Sequence, residues 1–129
     1  MRAGSEPADS GRADFALQPA YRSALKLCGY VFDLEERFPQ DEREVVYLGM
    51  KRASAEIGSL LAAGYGRVPS PEGRDLFRQA RSRLMEARHF VLLAETRYLI
   101  TPEDAAGFEA LYTETLDGIE MLLAAGDGP

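Results

Sequence analysis

Residues 70–98 read SPEGRDLFRQARSRLMEARHFVLLAETRY, and this stretch decides the fold. Ser70, Pro71 and Glu72 form a helix start: a capping hydroxyl, a first-turn proline, and an acid that suits the positive end of the helix dipole. Behind them Phe77, Ala80, Leu84, Ala87, Val91, Ala94 and Tyr98 recur at intervals of three and four, which puts them on one helical face. Arg and Glu dominate the positions between. A helix with one apolar seam and a charged back buries that seam against other helices.

The same punctuation recurs on both sides. Upstream, Gly64-Tyr65-Gly66-Arg67-Val68-Pro69 is a clear break. Before it a seam runs Val46, Met50, Ala53, Ile57, Leu60, Gly64, with Asp41 as the expected cap and Glu42 and Glu44 placed for the dipole. Earlier still, a helix opens at Pro19 and carries Tyr21, Leu25, Cys28 and Phe32, widened by Ala24, Val31 and Phe38. Phe38-Pro39 ends it, because a proline disfavours helix in the residue before it. Downstream, Thr101-Pro102-Glu103-Asp104 opens a fourth helix, with Asp104 where a capping box prefers Glu. Its seam is Ala105, Phe108, Tyr112, Thr115, Ile119, Leu122, and Gly126 ends it. No segment alternates as a strand does. The fold class is therefore all-α, an antiparallel up-down-up-down four-helix bundle over residues 18–125. Residues 1–17, without periodicity, read as a disordered N-terminal tail, and 126–129 as a short C-terminal one. Gly29, Gly49, Gly58, Gly107 and Gly118 fall inside helices, where close helix approach or a bend would account for them.

Composition narrows the function. The chain has 129 residues, enough for one domain with its own core, and 15 Lys+Arg against 21 Asp+Glu leave a net charge of −6. That balance disfavours a simple nonspecific nucleic-acid binder, which displaces counterions with excess positive charge. The charge is uneven: residues 68–99 hold six Arg against four acids, while seven acids and no Lys or Arg follow from Ile100. Arg-rich and acidic helices suit pairing within one chain or between chains. A single Cys permits no intrachain disulfide. The opening residues lack the apolar run of a signal peptide, and no run reaches a membrane span, so a cytoplasmic protein without membrane contact is expected.

Three patterns carry possible chemistry. Glu86-x-x-His89 has the spacing of di-iron bundle ligands, but such sites need two copies and the chain has one His. His89 lies two positions past Ala87, turned away from the seam, and reads as a surface residue; no metal or cofactor is expected. Arg83 and His89, six apart, match the short Arg–His pattern of HEPN-class helical ribonucleases, in which Arg stabilises phosphate charge and His moves a proton. This is the enzymatic alternative. Arg74, Arg78, Arg81 and Arg88 form a row along one flank, fit to track phosphates or an acidic partner, or to cover the seam and pair within the bundle. No phosphate-binding Gly-rich loop is present, and Cys28 on the apolar stripe reads as core. These residues indicate no enzyme.

The chain also reads Phe38-Pro39-Gln-Asp-Glu42-Arg43, then Leu48-Gly-Met-Lys-Arg52-Ala53-Ser54, then Ile57 to Arg67, then Phe77-Arg-Gln-Ala80-Arg-Ser-Arg-Leu84-Met-Glu86. In order and spacing this resembles the bacterial four-helix family encoded in 23S rRNA intervening sequences. The relatives of that family include the accessory variability determinant (Avd) proteins of diversity-generating retroelements. The family pattern is approximately FPxxERyxL, RRAAxSIxxNIAEGxGR and FxxxAxGSLxE, and the likeness covers about residues 20–124. Three stretches depart from it: Leu60-Leu61-Ala62-Ala63-Gly64 replaces NIAEG, Gly58 replaces a proline, and Ser82-Arg83 replaces Gly-Ser. The resemblance implies a four-helix protomer assembled into a homopentameric ring. In the Avd branch it also implies binding to reverse transcriptase and nucleic acid through a basic surface. The motif residues Arg43, Arg52, Tyr65, Arg67 and Glu86 are the candidate binding set, and Arg52 with Glu86 is a candidate ion pair between helices.

Overall fold

The computed structural model describes residues 14–126 and places four long helices around one core. They are α1 (Pro19–Phe32), α2 (Leu48–Tyr65), α3 (Pro71–Thr96) and α4 (Pro102–Gly126). No strand occurs among the described residues. α1 packs on α2 and α4, and α3 packs on the same two, so each helix has two neighbours. Along α1 and α4, Ala20 faces Gly118, Ser23 bonds Glu114 and Tyr30 covers Gly107. Along α2 and α3, Gly49 lies under Phe90 and Gly64 under Phe77. In both pairs the numbers rise on one helix as they fall on the other, as in the four-helix bundle the seams predict.

α3 matches its pattern: Phe77, Ala80, Leu84, Ala87, Val91 and Ala94 are all buried, and the Ser70 Oγ accepts the Gly73 N–H at 3.2 Å as the cap. Tyr98 departs from it. The helix ends at Thr96, and Tyr98 sits beyond it at φ 61, 93% exposed. Leu99 N–H bonds the Ala94 carbonyl across this left-handed residue, and Ile100 takes the core position instead.

α1 corrects the reading most. Its buried stripe is Ala20, Ala24, Leu27 and Val31, one residue behind Tyr21, Leu25, Cys28 and Phe32. Both stripes have four-three-four spacing, because this helix is apolar around most of its girth. Small Ala20 and Ala24 win the core since α4 comes close there: a Cβ on Gly118 would stand 3.0 Å from that of Ala20. Leu25 and Phe32 are left 43% and 44% exposed, and Cys28 is half-buried, not core.

α1 also stops at Phe32, six residues before Phe38. A 3₁₀ turn, Glu35–Arg37, follows, and Phe38 turns back into the core against Tyr47, ring centroids 5.2 Å apart. The chain re-enters helix through Gln40–Glu42 and a π-helical turn, Arg43–Tyr47, that leads into α2. Pro39 stands at the cap position, so Asp41 lies in the first turn and caps nothing. In α2 Leu61 replaces Leu60 as the fully buried residue, and in α4 Leu123 replaces Leu122. The last residues of the expected tail are ordered. Phe15–Leu17 form a 3₁₀ turn, with the Phe15 ring edge-on to Tyr21 at 5.0 Å. Residues 1–13 and 127–129 lie outside the described residues.

Candidate functional site

The Arg row of α3 turns toward acidic α4, and most of it is spent there. Arg74 Nη2 donates to the Leu123 carbonyl at 3.1 Å, near the end of α4 where free carbonyls collect. Arg81 pairs with Glu120 at 3.0 Å. Arg88 Nε meets Glu109 Oε2 at 2.8 Å, and the guanidinium stacks over Tyr112, 5.0 Å from its centroid. That carboxylate raises the Arg88 pKa further, fixing the charge. The asymmetry seen in the sequence is thus met largely inside one chain. Arg78 alone in the row is exposed and makes no hydrogen bond or ion pair among the described residues.

The motif residues separate by role. Arg43 Nε donates to the Phe38 carbonyl at 3.0 Å, and its Nη1 lies 4.0 Å from Glu35, which ties down the corner before the π turn. Arg67 Nη1 donates to the Ala63 carbonyl at 3.2 Å, closing the last turn of α2. Tyr65 is buried at the end of the bundle, edge-on to Phe77 at 5.3 Å. Burial there pushes its phenol pKa up to about 12.

Arg52 and Glu86 do not pair. Glu86 is held by Arg83 one turn before it, and Arg83 Nε also reaches Glu56 on α2 at 3.1 Å. A salt bridge between α2 and α3 therefore exists, but Arg83 and Glu56 make it. Arg52 is exposed without a hydrogen bond or ion pair among the described residues, as is Arg22 on α1.

Arg83 and His89 face different grooves. His89 is exposed on the α4 side, in a shallow depression with Met85, Arg88, Leu92 and Tyr112, whereas Arg83 faces α2. Within one chain the two side chains do not converge on a common substrate position. No group of three or more His, Cys, Asp or Glu arranged to hold a metal occurs among the described residues. No described helix is long and apolar enough to cross a membrane.

Two features escaped the sequence reading. One is the exposed stripe of Leu25 and Phe32, whose signal was the excess of apolar residues around α1. The other is a junction at Asp104, which accepts Arg37 Nε at 2.9 Å and Nη2 at 3.2 Å while its own carbonyl accepts the Tyr30 hydroxyl at 2.8 Å. Asp104 was legible as a cap; Arg37 had no local signal, because its partner is 67 residues away.

A family model described as 23S rRNA-intervening sequence protein matches residues 18–121, nearly all of the described chain. No curated protein matches it. The chain belongs to the 23S rRNA-intervening sequence protein family.

Proposed function

We propose that this member of the 23S rRNA-intervening sequence protein family is a non-enzymatic scaffold or accessory protein that works as a homo-oligomer in the cytoplasm. The observation that supports it is the second stripe of α1. Leu25 and Phe32, seven apart, are 43% and 44% exposed, and between them Gly29 has nothing within 4 Å of where a Cβ would stand. Large apolar residues flanking a small one form a strip that a further helix can pack against. The resemblance to the family supports the stoichiometry, a homopentameric ring. In a ring each subunit offers one face to a different face of its neighbour. Light scattering on the purified chain tests this: a mass near five protomers is expected, and a monomer at tens of micromolar sinks the reading.

The partner we propose is structured RNA or a reverse-transcriptase-type protein, as the likeness to the Avd branch suggests. Arg22, Arg52 and Arg78 support it, being exposed and without polar partners among the described residues. The net charge of −6 confines such binding to the Arg-bearing faces. RNA affinity that falls steeply as salt rises is the expected result, and no binding even at low salt removes the nucleic-acid half.

A further inference from the structure

α4 spends most of its acids inside the chain. Asp104 holds Arg37, Glu109 holds Arg88, Glu120 holds Arg81, and Glu114 accepts the Ser23 hydroxyl with Lys26 at 4.0 Å. Glu103 and Asp117 are left over: both are exposed, and neither makes a hydrogen bond or ion pair among the described residues. They share one face. Glu103, Ala106, Ala110, Thr113 and Asp117 recur at three, four, three and four, all exposed. This row lies opposite the core, between the side that meets α1 through Gly107 and Gly118 and the side that meets α3 through Glu109 and Glu120. It is acidic at its ends and carries only small side chains between.

The second stripe of α1 has the opposite character. Arg22, Leu25, Gly29 and Phe32 recur at three, four and three, and all are exposed. Large apolar groups stand here where α4 has small ones, and cations where it has acids. Arg22 opens the row without a polar partner among the described residues. At the far end Lys51 Nζ lies 5.0 Å from the Phe32 ring, with no carboxylate paired to it among the described residues. Arg22 and Phe32 are ten residues apart, about 15 Å of helix, and Glu103 and Asp117 fourteen, about 21 Å. The long arms of Arg22 and Lys51 span the difference.

We propose that the second stripe of α1 in one protomer packs on the outer face of α4 in the next, Leu25 and Phe32 over Ala106, Ala110 and Thr113, with Arg22 and Lys51 against the two leftover carboxylates. The inference rests on the homo-oligomer reading and names the face that the stripe meets. Small residues admit a second helix to close range, as Gly118 admits Ala20 inside the bundle. Complementary charges at the ends fix partner and register. The two faces belong to different helices, so the contact is heterologous, and each protomer keeps a face to offer until a ring closes. Arg52 and Arg78 lie off both rows and stay open to nucleic acid.

Two variants that each spoil one face test this, read by sedimentation velocity and circular dichroism on the full chain. Ala110→Arg sets a long cation on the small face of α4, and Leu25→Glu sets an acid on the stripe. Each alone is expected to keep its helix content and run as a monomer. Mixed in equal amounts they are expected to form a heterodimer and nothing larger, because the intact α1 face of one joins the intact α4 face of the other. The mixture is followed up to about 0.5 mM, so that a single contact weaker than a closed ring still registers. The double variant Glu103→Lys/Asp117→Lys, which keeps the small residues, is expected to weaken assembly about tenfold or more on dilution. Should Ala110→Arg fail to fold, the double variant decides. A native oligomer that survives Ala110→Arg, a mixture that stays monomeric, or an unchanged dilution profile in the double variant overturns the α4 face and leaves the oligomer reading standing. A monomeric native chain removes both.

Discussion

Arg37 clasps Asp104 with two parallel hydrogen bonds, 2.9 and 3.2 Å, joining the turn after α1 to the first turn of α4. The same carboxylate accepts the Thr101 N–H at 3.2 Å, and the Asp104 N–H donates to Thr101 Oγ1 at 3.0 Å. Aspartate thus closes the capping box from a position where Glu is usual, and it does so only 8% exposed. Its shorter side chain serves both the box and a cation from another element.

Thr101→Ala should cost about 1 kcal/mol and Asp104→Ala about 2 kcal/mol in urea unfolding. Asp104→Asn adds a pH signature. The Arg37 hydrogen bonds hold the Asp104 carboxyl below the usual carboxylate range. A carboxyl depressed in the folded state stabilises fully above its unfolded pKa, and that contribution is lost as pH falls through the folded value. The stability gap between wild type and Asp104→Asn should stay constant from pH 7 to about 5 and close below about 4. A gap as wide at pH 2 as at pH 7 contradicts the assignment.

Two helical glycines should respond in opposite directions to alanine. At Gly64 a Cβ would stand 2.5 Å from the Phe77 ring, which packs on Tyr65, and 3.2 Å from the Gly73 backbone carbonyl. Gly64→Ala should cost about 2 kcal/mol through overpacking. At Gly29 the site is open, and the change should stabilise the protomer by about 0.5–1 kcal/mol, as Ala does in an exposed helix. Chemical denaturation of both variants measures the pair; destabilisation by Gly29→Ala with the protomer monomeric would contradict the open site.

These glycines show where sequence reasoning ends. All five interior glycines attract the same expectation of close approach or bend, yet only the fold separates them. Gly49, Gly107 and Gly118 lie under Phe90, Tyr30 and Ala20; Gly58 makes ordinary contact with Tyr21, and Gly29 meets nothing. Helix phase shows the same limit. α3 has one apolar stripe bracketed by charge, so its seam could be read residue by residue from Phe77 to Ala94. α1 has two equivalent stripes, and weight given to the bulky side chains chose the outer one. Which stripe faces inward depends on how near α4 lies, and that is a tertiary quantity. Long-range pairs such as Arg83 with Glu56 were unreadable for the same reason, whereas the caps at Ser70 and Thr101 act within three residues and were plain.

Tyr98 offers a stabilising change. It occupies φ 61 just after α3, with its side chain 93% exposed, so the ring contributes little packing to offset the left-handed backbone. Glycine adopts that conformation without the Cβ penalty, and Tyr98→Gly should raise stability by about 1 kcal/mol. A lower melting temperature would mean that Tyr98 makes a contact worth more than the backbone strain.

Arg83 faces Glu56 across the α2–α3 groove, while His89 opens on the α4 side. With the pair divided between grooves, incubation with RNA should give no cleavage attributable to them. Hydrolysis lost in both Arg83→Ala and His89→Ala would reinstate a ribonuclease site, shared between chains.

The outer stripe of α1 allows folding and assembly to be separated. Because Leu25 and Phe32 are already half-exposed in the protomer, Leu25→Glu and Phe32→Glu should change its stability by no more than about 1 kcal/mol. In an assembly built on this stripe the same carboxylates would be buried, a far larger penalty, and heaviest at Leu25, since Lys51 lies 5.0 Å from the Phe32 ring and would partly pair with a carboxylate there. Both variants should therefore keep the helical circular dichroism of the wild type and lose the large species in light scattering. Met85→Glu, on the outer face of α3, supplies the contrast and should leave the mass unchanged. If it dissolves the assembly while the α1 variants do not, the subunits meet on α3, and the second stripe of α1 needs another explanation.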